Sequence, residues 1–193
     1  MRDIQRLNMV RNQCKPAGVE NEALLEAMMQ VPREDFLENK YKNLAYSDGE
    51  WPSIDGFVMA RPEMQAQLLE AVDIQPTDGI IILGSSYLAA ITSHLTSKVI
   101  SLGGHPILDN YKVEVVSCDL TEIKLQIEKL IQEGYTKVII EKHLSEDVIT
   151  ELLSLQKITI FYPEGQGPNL PQNLIKYQES KQEMLGEILL FLT

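Results

Sequence analysis

Residues 80–90, IIILGSSYLAA, restrict the fold more than any other stretch of this chain. Four consecutive apolar residues, Ile80 to Leu83, read as a buried strand. Gly84-Ser85-Ser86 turns the chain, and Tyr87-Leu88-Ala89-Ala90-Ile91 starts a helix. Strand, tight turn and helix N-terminus together make a generic place for an anion or a nucleotide. One glycine stands where such a loop commonly carries two or three, and no carboxylate ends the strand. The scaffold of an enzyme is legible here; its cofactor chemistry is not.

After Asp78 strand and helix patterns alternate. Apolar runs predict strands over residues 79–83, 98–102, 112–116, 137–140 and 158–162, and two more over 174–178 and 184–192. Helices fit residues 86–95, 121–133 and 146–153. In the middle one Ile123, Ile127, Leu130 and Ile131 form a core-facing stripe, while Glu122, Lys124 and Glu128 face water. This order argues for an α/β sheet with helices on both faces. One junction departs from a regular version. Only GGHPILDNY separates the second strand from the third, and a parallel crossover normally needs about a dozen residues or more. Either these strands are not parallel neighbours or a loop has replaced the helix.

The first third is helical and irregular. Asp3 is placed to cap a helix whose apolar positions Ile4, Leu7 and Val10 fall three apart. Asn21 is placed to cap a second, with Ala23, Leu24, Ala27 and Met28 on one face. An aromatic, turn-rich segment over residues 41–57 contains Trp51-Pro52, and Pro62 suits the first turn of a third helix over 63–72.

Composition sets outer limits. With 193 residues, 44% hydrophobic and 23% charged, the chain has the make-up of one globular domain over 1–193: a helical segment, 1–75, then the sheet, 76–193. The net charge of -11 opposes polyphosphate backbones and anionic lipid surfaces, so neither nucleic acid nor a membrane is an expected partner. Cys14 and Cys118, with three His, make no zinc pattern and read as reduced thiols of a cytoplasmic protein. The opening MRDIQRLNMVRNQ lacks the apolar core of a signal peptide. No run approaches the ~20 apolar residues that span a bilayer.

Several segments converge on one resemblance. They are Met9-Val10 with Gln13 and Gly18-Val19, Leu25-Glu26-Ala27-Met28, Val31-Pro32-Arg33-Glu34-Asp35-Phe36, and Ala45-Tyr46-Ser47-Asp48. The turn from Gly56 to Pro62, Tyr162-Pro163-Glu164-Gly165 and Leu189-Leu190-Phe191-Leu192 continue the series. From about Met9 onward the chain resembles the protein-L-isoaspartate O-methyltransferases, which use S-adenosylmethionine to methylate the carboxyl of damaged aspartyl residues. The resemblance implies a Rossmann-like, seven-stranded S-adenosylmethionine-dependent methyltransferase sheet with an added N-terminal helical segment.

At the implied site the sequence departs from the family. The family's loop reads roughly Glu-Ile-Gly-x-Gly-x-Gly-Tyr-x-Ala-Ala. The matching stretch from Ile82 to Ala90 is two residues shorter, puts Ile82 at the acid position and keeps only Gly84 of the glycines. Gly103 is the best match to the acid that should hold the ribose hydroxyls, and the helix after it is missing. The segment that supplies a hydroxyl near the reacting carboxyl is Gly56-Phe57-Val58-Met59-Ala60-Arg61-Pro62, with alkyl groups at Val58 and Ala60. Gly84, Ser85 and Asp119 remain as cofactor-contact candidates, Asp119 toward the adenine.

The resulting expectation is a family member that has lost efficient S-adenosylmethionine binding and methyl transfer. No cofactor is expected, and the chain would act as a binding or regulatory protein toward a protein or peptide partner. The alternative is a divergent but active S-adenosylmethionine-dependent carboxyl methyltransferase, with Asp119 and the Gly84 loop holding the cofactor in an altered pose. A third reading places a different small anion at the Gly84-Ser85-Ser86 turn. Each candidate also has a plain structural reading. Asp119 suits a helix N-cap before Thr121, and Ser85 and Ser86 are explained by capping alone. Glu141, beside Lys142 and His143, reads as solvated loop at the ligand-facing end of a strand. Trp51 and Tyr46 read as packing of the N-terminal segment, His94, His105 and His143 need no role, and residues 163–168 read as a turn. Phe57, Val58 and Met59 are expected to fill the old cleft.

Overall fold

The computed structural model describes residues 2–119, 122–141, 145–155, 158–164, 172–178 and 181–188. Helix α1, Arg2–Met9, runs into a π-helical turn, Val10–Cys14. Helix α2, Glu22–Gln30, follows, then two 3-10 turns, Arg33–Phe36 and Asn39–Leu44. A short ribbon pairs β1, Trp51–Pro52, with β2, Val58–Met59, ahead of α3, Pro62–Val72. Alternation then begins with β3, Gly79–Leu83, α4, Ser86–Thr92, and β4, Lys98–Leu102. Next come β5, Glu114–Val116, α5, Ile123–Gln132, β6, Lys137–Ile140, and α6, Glu146–Leu153. Strands β7, Thr159–Glu164, β8, Gln172–Gln178, and β9, Lys181–Ile188, complete the described chain.

The seven-stranded sheet has the order β5-β4-β3-β6-β7-β8-β9. The strands from β5 to β7 are parallel, and β8 and β9 are added antiparallel. Strand β3 is an interior strand and wholly buried, so both its faces must be apolar. Ile80 and Ile82 enter one core cluster with the N-terminal helices and α4; Ile81 and Leu83 enter the other with α5 and α6. The period-two alternation of one strand thus assigns the N-terminal segment to one face of the sheet. Met9, Leu24, Met28, Phe36 and Leu69 pack there with under 2% of their surface exposed. The expected α/β, Rossmann-like architecture is the one observed.

The irregular junction resolves in favour of a replaced helix. Strands β4 and β5 are parallel neighbours, Ile100 opposite Glu114, yet only a 3-10 turn, Pro106–Tyr111, connects them. His105 caps that turn by accepting from the Ile107 N–H at 3.1 Å. Lys112 then takes a positive φ of 52°, so β5 starts at Glu114 instead of residue 112. Asn21 caps α2 as expected, accepting from the Leu24 N–H at 3.1 Å. Asp3 does not cap α1. The helix already runs from Arg2, and the Asp3 carboxylate lies in its first turn, paired with Arg6 at 2.6 Å. Pro163 and Glu164, expected in a turn, continue β7 opposite Leu174 and Asn173, and residues 165–168 lie outside the described residues. Among the described residues no helix is long and apolar enough to cross a membrane.

Ile82 tests this account of the core. Truncation of Ile82 to Ala is expected to cost about 2–5 kcal/mol. Leu125→Ala, on the exposed face of α5, should change stability by less than about 0.5 kcal/mol. Urea unfolding followed by circular dichroism checks both, and equal effects would contradict the assignment.

Candidate functional site

Strand order reverses around β3, with β4 on one side and β6 on the other. The crevice beyond the carboxyl ends of β3 and β6 is therefore the topological switch point, where open α/β sheets bind their ligands. The Gly84-Ser85-Ser86 turn leaves β3 there, and Glu141 leaves β6 there, because Leu83 pairs with Ile140. The two chain ends come very close. A Cβ on Gly84 would stand 2.6 Å from the Glu141 Cβ, so glycine is needed to admit that side chain.

Glu141 is the centre of the site. Its Oε2 accepts from the Ser85 N–H at 2.8 Å and the Ser85 hydroxyl at 2.6 Å. Its Oε1 accepts from Gln65 Nε2, which also donates to Ser85 Oγ at 3.2 Å. Gln65 Oε1 in turn accepts from Arg33 Nη1, and Arg33 Nη2 donates to the Ala60 carbonyl. Arg33 is fully buried, with its guanidinium 5.0 Å from the centre of the Tyr87 ring, and Gln65 is 1% exposed. A second carboxylate reaches the same turn: Asp55 Oδ2 accepts from the Ser86 N–H at 2.6 Å. The other oxygen of Asp55 holds its own hairpin through Ser53 Oγ and the Phe57 N–H. Ser85 Oγ accepts from the Leu88 N–H at 3.4 Å, and Ser86 Oγ accepts from the His105 N–H at 2.9 Å. The first two amides after Gly84, those a bound anion would use, are thus committed to the chain's own carboxylates.

Burial sets the electrostatics. Desolvation lowers the Arg33 guanidinium from its ordinary range, opposed by Tyr87 and Glu141. Desolvation also pushes the Glu141 carboxyl above the usual carboxylate range, opposed by the Ser85 and Gln65 hydrogen bonds and by Arg33. Neither thiol is activated: burial raises Cys14 to about 12, and raises Cys118 as well. Among the described residues no group of three or more His, Cys, Asp and Glu side chains could hold a metal ion.

A family model for protein-L-isoaspartate(D-aspartate) O-methyltransferase matches residues 5–142. The chain belongs to the protein-L-isoaspartate O-methyltransferase family. The Roseiflexus sp. protein-L-isoaspartate O-methyltransferase is 37% identical over 84 residues, covering 42% of this chain and 38% of the relative. The Koribacter versatilis enzyme is 32% identical over 104 residues, covering 53% of this chain and 47% of the relative. In both, the match spans less than half of the relative's length. A putative protein-L-isoaspartate O-methyltransferase from Plasmodium falciparum, solved in complex with S-adenosyl-L-homocysteine, shares the fold. Its TM-score is 0.67 at 14% identity, covering 95% of both chains.

Within this family frame the residues singled out from sequence separate. Gly84, Ser85 and Ser86 meet at the switch point and are buried. Ile82, matched from sequence to the first acid, is fully buried in the core. Gly103, matched from sequence to the second acid, is exposed with φ +85°, and its N–H donates to the Val116 carbonyl at 2.8 Å. Asp119 is exposed and is not the cap of α5; the cap position is Glu122, whose N–H donates to the Asp119 carbonyl at 2.9 Å. Leu120 and Thr121, between them, lie outside the described residues.

The expected apolar filling is corrected. Met59 is buried, but Val58 is 59% exposed and Phe57 only half-buried. Polar groups from Arg33, Gln65 and Glu141 occupy the switch point instead. Ala60 contributes its carbonyl to Arg33. Trp51 stacks on Tyr41 with ring centres 5.6 Å apart, and the Tyr46 hydroxyl donates to Glu34, so both serve packing as expected. Glu141, read from sequence as solvated loop, is half-buried and fully engaged. Its signal was positional: a carboxylate directly after an apolar strand, opposite the one retained glycine. Arg33, Gln65 and Asp55 carried no such mark. His143 lies outside the described residues.

The sign of the Glu141 shift gives a pH test. Its folded value lies above its unfolded one, so its stabilising share is full below the ordinary carboxylate range and is lost as pH rises through the raised value. The stability of the native chain relative to Glu141→Gln is expected to fall as pH climbs from about 4 toward neutrality. Urea midpoints of both proteins at matched pH measure this, and a difference that rises with pH would contradict it.

Proposed function

We propose that this chain is a protein-L-isoaspartate O-methyltransferase family member without effective S-adenosylmethionine binding or methyl transfer, retained as a binding or regulatory protein for a protein or peptide partner. The observation that carries this reading is the commitment of the Ser85 and Ser86 amides to Glu141 and Asp55. An S-adenosyl group held as the family holds it does not fit these residues. The acid positions are Ile82, sealed in the core, and Gly103, whose φ disfavours any side chain. The shortened loop is met by the carboxylates of Glu141 and Asp55 where a ligand would seek donors.

Magnitudes favour the same side. A hydrogen bond to a charged group contributes ~1.5–3 kcal/mol, so one lost ribose carboxylate weakens binding roughly 10–150-fold. Displacing Glu141 and Asp55 from their donors adds a further cost. Small ligands have little surplus binding energy to absorb such losses. Val58 and Ala60 bring no hydroxyl to position an acceptor carboxyl, which removes a second contribution to the barrier. The competing reading, a divergent active carboxyl methyltransferase, draws support from the enzyme names of the relatives and from the S-adenosyl-L-homocysteine complex of the Plasmodium protein.

Calorimetric titration of the folded protein with S-adenosylmethionine and S-adenosylhomocysteine separates the two. No heat is expected at millimolar ligand. Binding near 1 μM, about -8 kcal/mol, together with methylation of an isoaspartyl peptide, would overturn the proposal.

A further inference from the structure

We propose that Arg33, Gln65 and Glu141 form a latch: Glu141 cannot leave the Gly84-Ser85-Ser86 turn without releasing Arg33. Opening the turn and loosening the N-terminal segment are then one conformational event. This coupling stands apart from the question of methyl transfer, because it concerns how the closed state is held.

The argument starts from donor and acceptor types. A guanidinium only donates, so Arg33 forces the Gln65 amide to present its oxygen on that side. The Gln65 amide nitrogen must then face the switch point, where it needs acceptors. Ser85 Oγ and Glu141 Oε1 supply them. A carboxylate is the group that satisfies this position, because it accepts from Gln65 on one oxygen and from Ser85 on the other without presenting a donor to either. Each orientation is dictated by the previous one, from Arg33 to Ser85.

If Glu141 swings out, an N–H of Gln65, itself only 1% exposed, loses its acceptor. Turning the amide over does not repair this, since it would set NH2 against the guanidinium. The strain is therefore passed to Arg33. The second carboxylate leads to the same residue by another route. Asp55 ties the β1–β2 hairpin to the Ser86 N–H, and Ala60, directly after β2, gives its carbonyl to Arg33. Both ties on the turn converge on one buried cation of the N-terminal segment. Whatever displaces the carboxylates at one end loosens the other, and a partner that pulls on the N-terminal segment opens the turn, by reciprocal linkage.

Hydrogen exchange of the full chain, read by mass spectrometry, tests the latch with Glu141→Gln. The substitution keeps the volume but puts an NH2 where only an acceptor fits. Exchange at least about tenfold faster is expected both at Ser85–Ser86 and at Asp35, whose N–H bonds the Pro32 carbonyl beside Arg33. Leu152→Ala, buried in the opposite core cluster, is the control for general destabilisation. Faster exchange confined to the turn, or a pattern matching Leu152→Ala, would overturn the proposal. Should Glu141→Gln fail to fold, Gln65→Met cuts the relay at its middle. Loosening of Asp35 and Ser85 together then supports the latch, and loosening of Asp35 alone overturns it.

Discussion

A buried guanidinium governs this structure. Removing a charge from water costs several kcal/mol even after relaxation, roughly, so Arg33 must be met by acceptors wherever it is placed. Here they are the Gln65 amide oxygen and the Ala60 carbonyl, and the Tyr87 ring covers one side. Those contacts fix which way Gln65 turns, and with it the side of the amide that meets Glu141. A neutral residue at position 33 would lift these demands, and the Gln65 amide would then be free to face either way.

The apolar packing supplies the frame on which that polar relay is strung. Strand β3 sends Ile80 and Ile82 into the cluster shared with the N-terminal helices, so the helical segment and the sheet are folded against one surface. That packing brings Arg33 to within two hydrogen-bonded steps of the carboxyl end of β6. The switch point follows from strand order alone. What occupies it follows from the side chains that the N-terminal segment and the end of β6 deliver there.

Much of the frame was legible in the sequence because it rests on local periodicity. The apolar runs over 79–83, 98–102 and 137–140 became strands with those bounds, and Asn21 and Pro62 opened helices where capping chemistry places them. Boundaries failed where a single backbone angle intervened, as at Lys112. The site was less legible. Gly84 announced a tight approach without naming the approaching atom, and that atom lies 57 positions on, at Glu141. Gln65 looked like one more polar residue of α3. Its role depends on a contact with a residue 32 positions earlier, which no spacing rule within a helix reveals.

The two positions matched from sequence to the family's acids are held by more than their own side chains. Gly103 sits at φ +85°, in a region that an L side chain enters only at a cost of about 1–2 kcal/mol. The backbone there is set by the Gly103 N–H bonding to Val116 and by the 3-10 turn that replaced the crossover helix. An acid restored at this position would therefore be strained before it met any ligand. Ile82 is constrained from the other direction, since a carboxylate in its place would be an unpaired charge inside a fully buried strand. Both positions follow from the packing and backbone around them, so what stands there is set by the sheet and its connections and not by single side chains.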